Sequence, residues 1–315
     1  MWAVAFQAIL WIVQIYVSYR LVRTIFALLW GIFVYFIAPV FYKPNLAKYK
    51  GRWTVITGGT DGIGKAYTLE LAKRGLEKFI LIGRNETKLR DIAVLLETRY
   101  KARVKTFVFD FECDDYAKLR EYLRPVDIGF VLNSVGVGPS TLERFGDKPE
   151  VDRMVLKVNA IGVSEFMIAV LPPMREHGGG QIVNLGSSQG YRVVPLMGPY
   201  CTSKSVVAFL SEAIDREQDN IRVQCLTPAL VATNMTHYKE GSMFVVTPDH
   251  FATAAVNTIG LDTVTTGCFN HEFQMLLRHL FPWTLLKHLI TPIYSRHKRR
   301  LIALHEKESR TTHRA

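Results

Sequence analysis

The segment that most constrains the fold is an apolar run that passes into a glycine-rich turn and then into a helical pattern. Residues 53–57 have the β-branched and aromatic composition of a short buried strand, and residues 58–64 read Gly-Gly-Thr-Asp-Gly-Ile-Gly. A helical pattern follows over residues 65–74. Glycines at such a junction let the backbone approach an anion closely, and the free amides of a helix N-terminus attract phosphate. The segment therefore predicts a nucleotide-binding strand–turn–helix unit.

Five further apolar runs are short and are separated by helical patterns, which is typical of buried parallel strands alternating with helices. They cover residues 79–82, 104–109, 128–132, 181–185 and 221–226. The chain has 315 residues, of which 49% are hydrophobic, enough for one large core. We therefore predict an α/β fold with a doubly wound parallel sheet of the Rossmann type, in a single domain over residues 50–274.

A tyrosine and a lysine four residues apart, Tyr200 and Lys204, follow a serine, Ser187, that stands thirteen residues before the tyrosine. On a helix Tyr200 and Lys204 would share one face. A phenol is a weak acid at neutral pH, and an adjacent cation stabilises the phenolate, so proton transfer to a substrate oxygen becomes feasible. With the Ser187 hydroxyl to hold a carbonyl oxygen, these residues predict an oxidoreductase.

Together these stretches resemble the short-chain dehydrogenase/reductase superfamily, in its group of 17β-hydroxysteroid dehydrogenases (types 3 and 12) and very-long-chain 3-oxoacyl-CoA reductases. The similarity covers roughly residues 50–300 and includes residues 133–136 (Asn-Ser-Val-Gly), Asn159 and residues 171–174. The resemblance implies that Tyr200 is the catalytic acid and that Ser187 binds the carbonyl. It also implies that Lys204 tunes the tyrosine and contacts the nicotinamide ribose, and that Asn159 anchors a proton-relay water. The spacing favours Ser187 over Ser188 as the catalytic serine.

The cofactor contacts that the turn and the resemblance imply, besides Tyr200 and Lys204, are Gly58, Thr60, Asp61, Gly62, Ile63, Gly64, Arg84, Asp110, Asn133 and Thr233. Arg84 ends the second predicted strand, where an NAD-binding fold usually offers an acidic residue to the ribose. A guanidinium suits a 2′-phosphate, so NADP(H) is the predicted cofactor, with an exposed strand-end arginine as the alternative. Asp110 either bonds the adenine, as the resemblance implies, or caps the turn into a helix predicted over residues 114–123.

The N-terminal segment predicts membrane attachment. Residues 1–19 and 24–42 carry no charged side chain, and only Arg20 and Arg23 are charged between them. A spanning helix needs about 20 apolar residues, so residues 1–42 are predicted to be a membrane anchor. A cleaved signal peptide is disfavoured, because no basic region precedes the apolar stretch.

The net charge of +11 is concentrated at the two ends of the chain. The first 50 residues hold five basic and no acidic residues, and residues 295–315 hold seven basic and two acidic ones, which leaves +1 for the rest. Basic clusters beside apolar segments suit an anionic membrane surface, and no motif supports nucleic-acid binding. Residues 275–315 are predicted to be an apolar helix and a basic tail, in which residues 276–294 form an interfacial helix or a core helix. A solvated tail is the alternative.

The four cysteines show neither disulfide nor metal-ligand spacing, so we expect no metal and small buried thiols. Glycosylation sequons at Asn85 and Asn234 would border the adenosine pocket and the substrate lid, where a glycan would obstruct function. This favours a catalytic domain facing the cytosol. The resemblance implies the endoplasmic reticulum membrane, although the lysine-based retrieval signal is missing from residues 313–315.

The predicted function is membrane-bound, NADPH-dependent reduction of a lipid ketone. Residues 229–246 form the predicted lid over the nicotinamide, and the apolar residues Met235, Met243 and Phe244 in it suit a long or bulky lipid. A long-chain 3-oxoacyl-CoA is the first choice, since its acyl chain can stay partly in the bilayer. A steroid or retinoid is the alternative substrate, and a non-catalytic membrane scaffold is the alternative class. A homodimer is compatible with this interpretation.

Overall fold

The computed structural model describes residues 2–139 and 142–281 and, beyond them, residues 284–288, 291–292, 295–296, 299 and 302. Within these residues the centre of the molecule is a seven-stranded sheet in which every pair of neighbouring strands is parallel. The strands are β1 (Trp53–Thr57), β2 (Lys78–Gly83), β3 (Arg103–Val108), β4 (Ile128–Asn133), β5 (Gly180–Leu185), β6 (Ile221–Leu226) and β7 (Val264–Thr265).

The strand order β3-β2-β1-β4-β5-β6-β7 places β1 at the point where the winding reverses. From β1 the chain adds β2 and β3 on one side, and from β4 it adds β5 to β7 on the other. The carboxyl ends of β1 and β4 therefore diverge into a crevice, which is where open α/β sheets bind ligands. The predicted doubly wound parallel sheet is confirmed.

Helices cover both faces of the sheet because neighbouring residues of each strand point to opposite sides. The helices are α1 (Trp2–Ile32), α2 (Ala38–Phe41), α3 (Gly62–Lys73), α4 (Glu86–Tyr100), α5 (Tyr116–Leu123), α6 (Pro149–Leu156), α7 (Val163–Glu176), α8 (Gly198–Glu217), α9 (Pro248–Asn257) and α10 (Phe269–Leu280). Val55 packs in the cluster with α5, α7 and α8, whereas Ile56 packs in the cluster with α3, α4 and α9.

Several details differ from the sequence expectations. Helix α3 begins three residues before the predicted start, because Asp61 caps it directly after the glycine turn. The helix predicted from residue 114 begins at Tyr116, since Asp115 is its cap.

Strand β7 was not predicted, since two residues are too few for a periodic signal. Cys113 is exposed, so the expectation of four buried thiols was wrong at this position, whereas the other three are buried.

The two apolar N-terminal segments form one continuous helical run over Trp2–Phe41, in which a π-helical turn (Phe33–Ile37) joins α1 and α2. At 1.5 Å per residue its 40 residues extend about 60 Å. Pro149–Glu176 is the only other described helical run that is long and apolar enough to cross a membrane, and it packs on the sheet as a core element.

The second half of this N-terminal helix lies against the body. The Tyr35 hydroxyl is 2.7 Å from Oγ1 of Thr265 in β7, and Tyr42 donates a hydrogen bond of 2.9 Å to the carbonyl of Ile259. The residues of the helix that are buried are Thr24, Gly31, Val34 and Ala38. The first half, by contrast, is exposed. The predicted anchor over residues 1–42 thus has one free and one docked part.

Candidate active site

The glycine turn after β1 is shaped by close backbone approaches. Gly58 has a φ of +64°, and a Cβ atom on it would lie 2.6 Å from the carbonyl oxygen of Ser134. A Cβ atom on Gly64 would overlap the carbonyl oxygen of Gly58. Because real Cβ atoms do not approach backbone oxygens so closely, only glycine fits at both positions. The first turn of α3 is therefore pressed against the loops after β1 and β4, and its amides face the crevice.

Asp61 joins the glycine turn to the lid. Its carboxylate accepts a hydrogen bond of 2.7 Å from the amide of Gly62 and one of 2.6 Å from Nδ2 of Asn234. Lys88 Nζ lies 3.7 Å from the same carboxylate. Burial raises the pKa of Asp61, but these bonds and the charges of Lys88 and Lys65 outweigh it and lower the pKa below its usual value. The ionised carboxylate thus holds residues 229–246 over the crevice.

A cavity of about 460 Å³ fills the crevice. Most of the predicted site residues line it, although they come from the segments after five different strands and from helix α8. These lining residues are Gly58, Thr60, Asp61, Gly62, Ile63, Gly64, Arg84, Asp110, Ser187, Tyr200, Lys204 and Thr233.

Tyr200 and Lys204 lie one turn apart in α8, as the spacing predicts. Lys204 Nζ is 5.8 Å from the centre of the Tyr200 ring and donates a hydrogen bond of 2.8 Å to the carbonyl of Leu185 at the end of β5. Lys204 is only 4% exposed. Burial lowers its pKa to about 8, against an opposing effect of Cys225. A fixed, desolvated cation therefore stands next to the phenol.

Ser187 follows β5 and lines the same cavity as Tyr200. Its Oγ accepts a hydrogen bond of 3.2 Å from the amide of Gln189, at the start of a 3₁₀ turn (Ser188–Tyr191). Ser188 is not among the residues that form the cavity wall. The geometry thus favours Ser187 over its neighbour as the group that holds a substrate oxygen.

Asn159 is fully buried in a π-helical turn (Lys157–Gly162) between α6 and α7. Its Oδ1 accepts from the amide of Val137, and its Nδ2 donates to the carbonyl of the same residue, both at 2.8 Å. A Cβ atom on Gly136 would lie 3.4 Å from both Asn159 Oδ1 and Lys204 Nζ. The side chain therefore fixes the loop after β4 beside the lysine, and the predicted relay role stays a prediction.

Asn133 lies behind the cavity wall, in contrast to the direct cofactor contact expected from the sequence. It is buried at the end of β4, and its Oδ1 accepts a hydrogen bond of 2.9 Å from the hydroxyl of Thr57. The Thr57 oxygen in turn accepts from the amide of Val135 at 3.1 Å. Asn133 thus supports the wall formed by Ser134 and Val135, which do line the cavity.

Comparison with known proteins identifies the family. The model of the short chain dehydrogenase family matches residues 52–242, well over half of the chain. The chain belongs to the short-chain dehydrogenases. Very-long-chain 3-oxoacyl-CoA reductase-B of Danio rerio is 34% identical over 276 residues, which cover 85% of this chain and 87% of that protein. A Caenorhabditis elegans protein that is provisionally named a steroid dehydrogenase is 36% identical to this chain. The match covers 86% of this chain and 87% of that protein.

Solved structures agree with the family. A short-chain dehydrogenase from Sphingobium yanoikuyae in complex with NADPH superposes with a TM-score of 0.63 and is 27% identical, over 68% of this chain and 87% of the other. As a short-chain dehydrogenase, the present chain is an oxidoreductase that acts on CH–OH and C=O groups.

The cavity of this dehydrogenase contains a residue, Lys88, that the sequence reasoning missed, beside Asn85, which it placed at the border of the pocket. Asn85 caps α4 by accepting a hydrogen bond of 2.9 Å from the amide of Lys88, and both residues line the cavity beside Arg84. The capping pattern after β2 was the signal that would have placed Lys88 at this strand end. Asp110 lines the cavity, and its Oδ1 caps the following turn by accepting from the amide of Glu112 at 2.9 Å, while its bond to the adenine stays a prediction.

The depressed pKa of Lys204 predicts a pH dependence for this dehydrogenase. Below a pKa of about 8 the side chain is charged, and above it the charge is lost. We therefore expect kcat/KM for carbonyl reduction to fall as the pH rises through about 8. The Lys204→Met variant should be slow throughout and lack this decline. A wild-type profile that stays level from about pH 7 to about pH 10 would contradict the assigned role.

Proposed function

We propose that this short-chain dehydrogenase is an NADPH-dependent reductase of a lipid ketone, most specifically of a long-chain 3-oxoacyl-CoA. The observation that carries the proposal is the convergence of Ser187, Tyr200 and Lys204 on one cavity whose other end is the glycine turn. NADPH supplies the hydride when it is bound. Ser187 and Tyr200 orient the carbonyl oxygen, and the Tyr200 hydroxyl protonates that oxygen while Lys204 stabilises the resulting phenolate.

The chemistry of the cavity wall supports NADPH over NADH. Arg84 and Lys88 place two cations at the adenosine end, where an NAD-specific fold usually carries a carboxylate for the ribose. A guanidinium and an ammonium suit a 2′-phosphate through charge-assisted hydrogen bonds. The NADPH bound to the related Sphingobium enzyme agrees with this assignment.

Replacing Arg84 with aspartate is expected to reverse the cofactor preference. One attraction to the 2′-phosphate becomes a repulsion, so KM for NADPH should rise by about 10- to 100-fold while KM for NADH changes little. Arg90→Asp is the matched control, because Arg90 is exposed on α4, the helix that follows Arg84, and pairs with Glu86 outside the cavity. Steady-state kinetics with NADPH and with NADH measure the two KM values for the wild type and for both variants. A wild type that already prefers NADH would show that Arg84 has another role.

The substrate class is inferred from the lid and from the relatives. Met235 lines the cavity, and Met243 and Phe244 continue the lid as flexible apolar side chains. The Danio rerio relative is named for reduction of very-long-chain 3-oxoacyl-CoA, and six further relatives that are 32–37% identical bear the same type of name. The Caenorhabditis elegans relative makes a steroid the second candidate.

A substrate series separates these candidates. We expect kcat/KM to rise with acyl length across a set of 3-oxoacyl-CoA esters, because a longer chain buries more apolar surface. Ketosteroids measured under the same conditions should be poor substrates. Efficient steroid turnover beside a flat acyl series would reverse the ranking. Failure to oxidise NADPH with any ketone would favour a non-catalytic membrane scaffold.

We further propose that the protein is attached to the endoplasmic reticulum membrane with its catalytic domain facing the cytosol. The exposed half of the Trp2–Phe41 helix supports attachment, since nothing in the described body covers it. Asn85 lines the cavity and Asn234 bonds Asp61, so a glycan at either position would obstruct the site. This supports the cytosolic side, where sequons are not modified.

The proposed division of the chain into an anchor (1–42), a catalytic domain (50–274) and a C-terminal segment (275–315) needs one refinement. Residues 24–42 dock on the body, and α10 runs across the boundary at residue 274. Most of the basic tail and much of the predicted interfacial segment 276–294 lie outside the described residues.

A homodimer is also proposed. It is supported by exposed apolar side chains at Ile168 on α7 and Phe209 on α8.

A further inference from the structure

The lid, residues 229–246, is a loop whose two ends are tied together. The amide of Val246 donates a hydrogen bond of 3.1 Å to the carbonyl of Leu230, and the amide of Ala232 donates one of 2.9 Å to the carbonyl of Val246. Near the second end lie Met243 and Phe244, which are 64% and 60% exposed. We call these two residues the lid tip. Two large apolar side chains held outward on a closed loop are unusual for a surface bathed only by water.

Helix α10 holds the lid at both ends. His271 is fully buried, and its Nε2 lies 3.1 Å from the carbonyl of Leu230 at the base of the lid. A carbonyl oxygen only accepts, so Nε2 is the donor. At the lid tip, Nδ2 of Asn270 donates to the carbonyl of Met243 and Nε2 of Gln274 donates to the carbonyl of Phe244, both at 3.4 Å. The position of α10 therefore sets the position of the lid tip.

Another side of α10 receives the docked half of the N-terminal helix. The rings of Phe36 and Phe269 meet edge to face with their centres 4.8 Å apart. Gly31 allows the helices to approach closely, because a Cβ atom there would lie 3.1 Å from Cγ of Glu272. Glu272 is fixed by a hydrogen bond of 2.8 Å from the hydroxyl of Thr266. The lid, α10 and the N-terminal helix are thus linked in sequence.

Exposed apolar side chains occur at several points along this link. Phe36 is 58% exposed, and Phe273, 47% exposed, packs beside Phe269 with ring centres 6.4 Å apart. Phe273 directly precedes Gln274, which bonds the lid tip. Exposed apolar side chains therefore occur on the N-terminal helix, on α10 and at the lid tip, and we treat them together as one apolar surface. Between Phe36 and residues 2–19 the helix carries only Arg20 and Arg23 as charged residues, and no acidic residue occurs in the first 50.

We propose that this surface, consisting of Phe36, Phe273 and the lid tip, lies against the lipid bilayer, so that an apolar substrate passes from the membrane to the cavity beneath the lid. A bilayer is the occupant because Phe36 belongs to the Trp2–Phe41 helical run, which is long and apolar enough to span a membrane, has an exposed first half and carries only Arg20 and Arg23 as charged residues. The docked helix and α10 fix the angle at which the lid tip meets the lipid. The inference rests on the membrane attachment proposed above.

Depth-dependent quenching of a fluorophore on the lid tests this surface. In the full-length chain carrying Cys113→Ser, which removes the exposed thiol, Met243→Cys and Phe244→Cys are labelled separately with an environment-sensitive dye. Each protein is reconstituted into vesicles of phosphatidylcholine and phosphatidylserine, with and without brominated phosphatidylcholine. Val13→Cys on the free half of the N-terminal helix reports membrane insertion. Val94→Cys is the matched control, because Val94 is exposed on α4 near the opposite edge of the sheet.

We expect the brominated lipid to quench at least half of the emission from positions 243, 244 and 13, and to leave position 94 unchanged. Quenching at position 13 with none at 243 and 244 would overturn the lid surface while leaving membrane attachment intact. If position 13 is not quenched either, membrane attachment itself fails, and the lid surface fails with it.

Discussion

Replacement of Tyr200 by phenylalanine is expected to lower kcat for carbonyl reduction by about 10²- to 10⁴-fold, the range typical of a lost general acid. Only one hydroxyl is removed, and the ring stays in place at the start of α8 next to Lys204. NADPH affinity and thermal stability should therefore remain close to those of the wild type. Stopped-flow measurement of NADPH oxidation and a thermal melt check both parts of this expectation.

Tyr122→Phe is the matched control for this loss. Tyr122 lies on α5, stacks on Phe107 and is remote from the cavity, so the same hydroxyl removal should leave the rate unchanged. Retention of more than a tenth of the wild-type rate by Tyr200→Phe would mean that another group supplies the proton. In that case the assignment of Ser187 and Lys204 as its partners would also have to be revised.

Replacement of Gly64 by alanine is expected to abolish NADPH binding and to destabilise the fold by about 1–3 kcal/mol or more. The added methyl group would overlap the backbone carbonyl of Gly58 and approach Oγ of Ser134 to 2.8 Å. The Ser134 hydroxyl can rotate away, but the contact with Gly58 is with backbone, so the first turn of α3 has to move away from the crevice. Cofactor titration followed by fluorescence, together with chemical unfolding, measures the two effects.

Gly198→Ala provides the comparison for Gly64. A Cβ atom at Gly198 meets no atom within 4 Å, and the residue lies in the first turn of α8. The variant should bind NADPH normally and unfold like the wild type. If Gly64→Ala behaved in the same way, the close packing of the glycine turn would not be what shapes the phosphate site.

The sequence predicts the sheet and the catalytic group because both are local patterns. Five of the seven strands, β1, β2, β4, β5 and β6, are apolar runs buried on both faces, and they carry the same signal wherever they occur in such a fold. Strand β3 was expected to be buried as well, but it lies at the edge of the sheet and is largely exposed. The spacing of Tyr200 and Lys204 defines one helical face without any tertiary information. Ser187 joins them because parallel strands end at the same edge of the sheet.

The docked half of the N-terminal helix was harder to predict. A stretch without charges looks the same whether lipid or protein covers it. The signal was a stripe of small side chains: Thr24, Gly31, Val34 and Ala38 repeat at helical spacing and are the residues that pack on the body. Asn133 was misplaced for a related reason, since sequence gives its strand end but not the side to which its amide turns.

The most direct test of the account follows a hydride from cofactor to product. The purified full-length protein would be incubated with a long-chain 3-oxoacyl-CoA and NADPH deuterated at nicotinamide C4, in both stereoisomers, and the product analysed by mass spectrometry. The account predicts a 3-hydroxyacyl product that carries one deuterium at the former carbonyl carbon from one stereoisomer, formed by the wild type and scarcely by Tyr200→Phe. NADPH that stays unoxidised with the wild type, or equal product formation by the Tyr200→Phe variant, would contradict it.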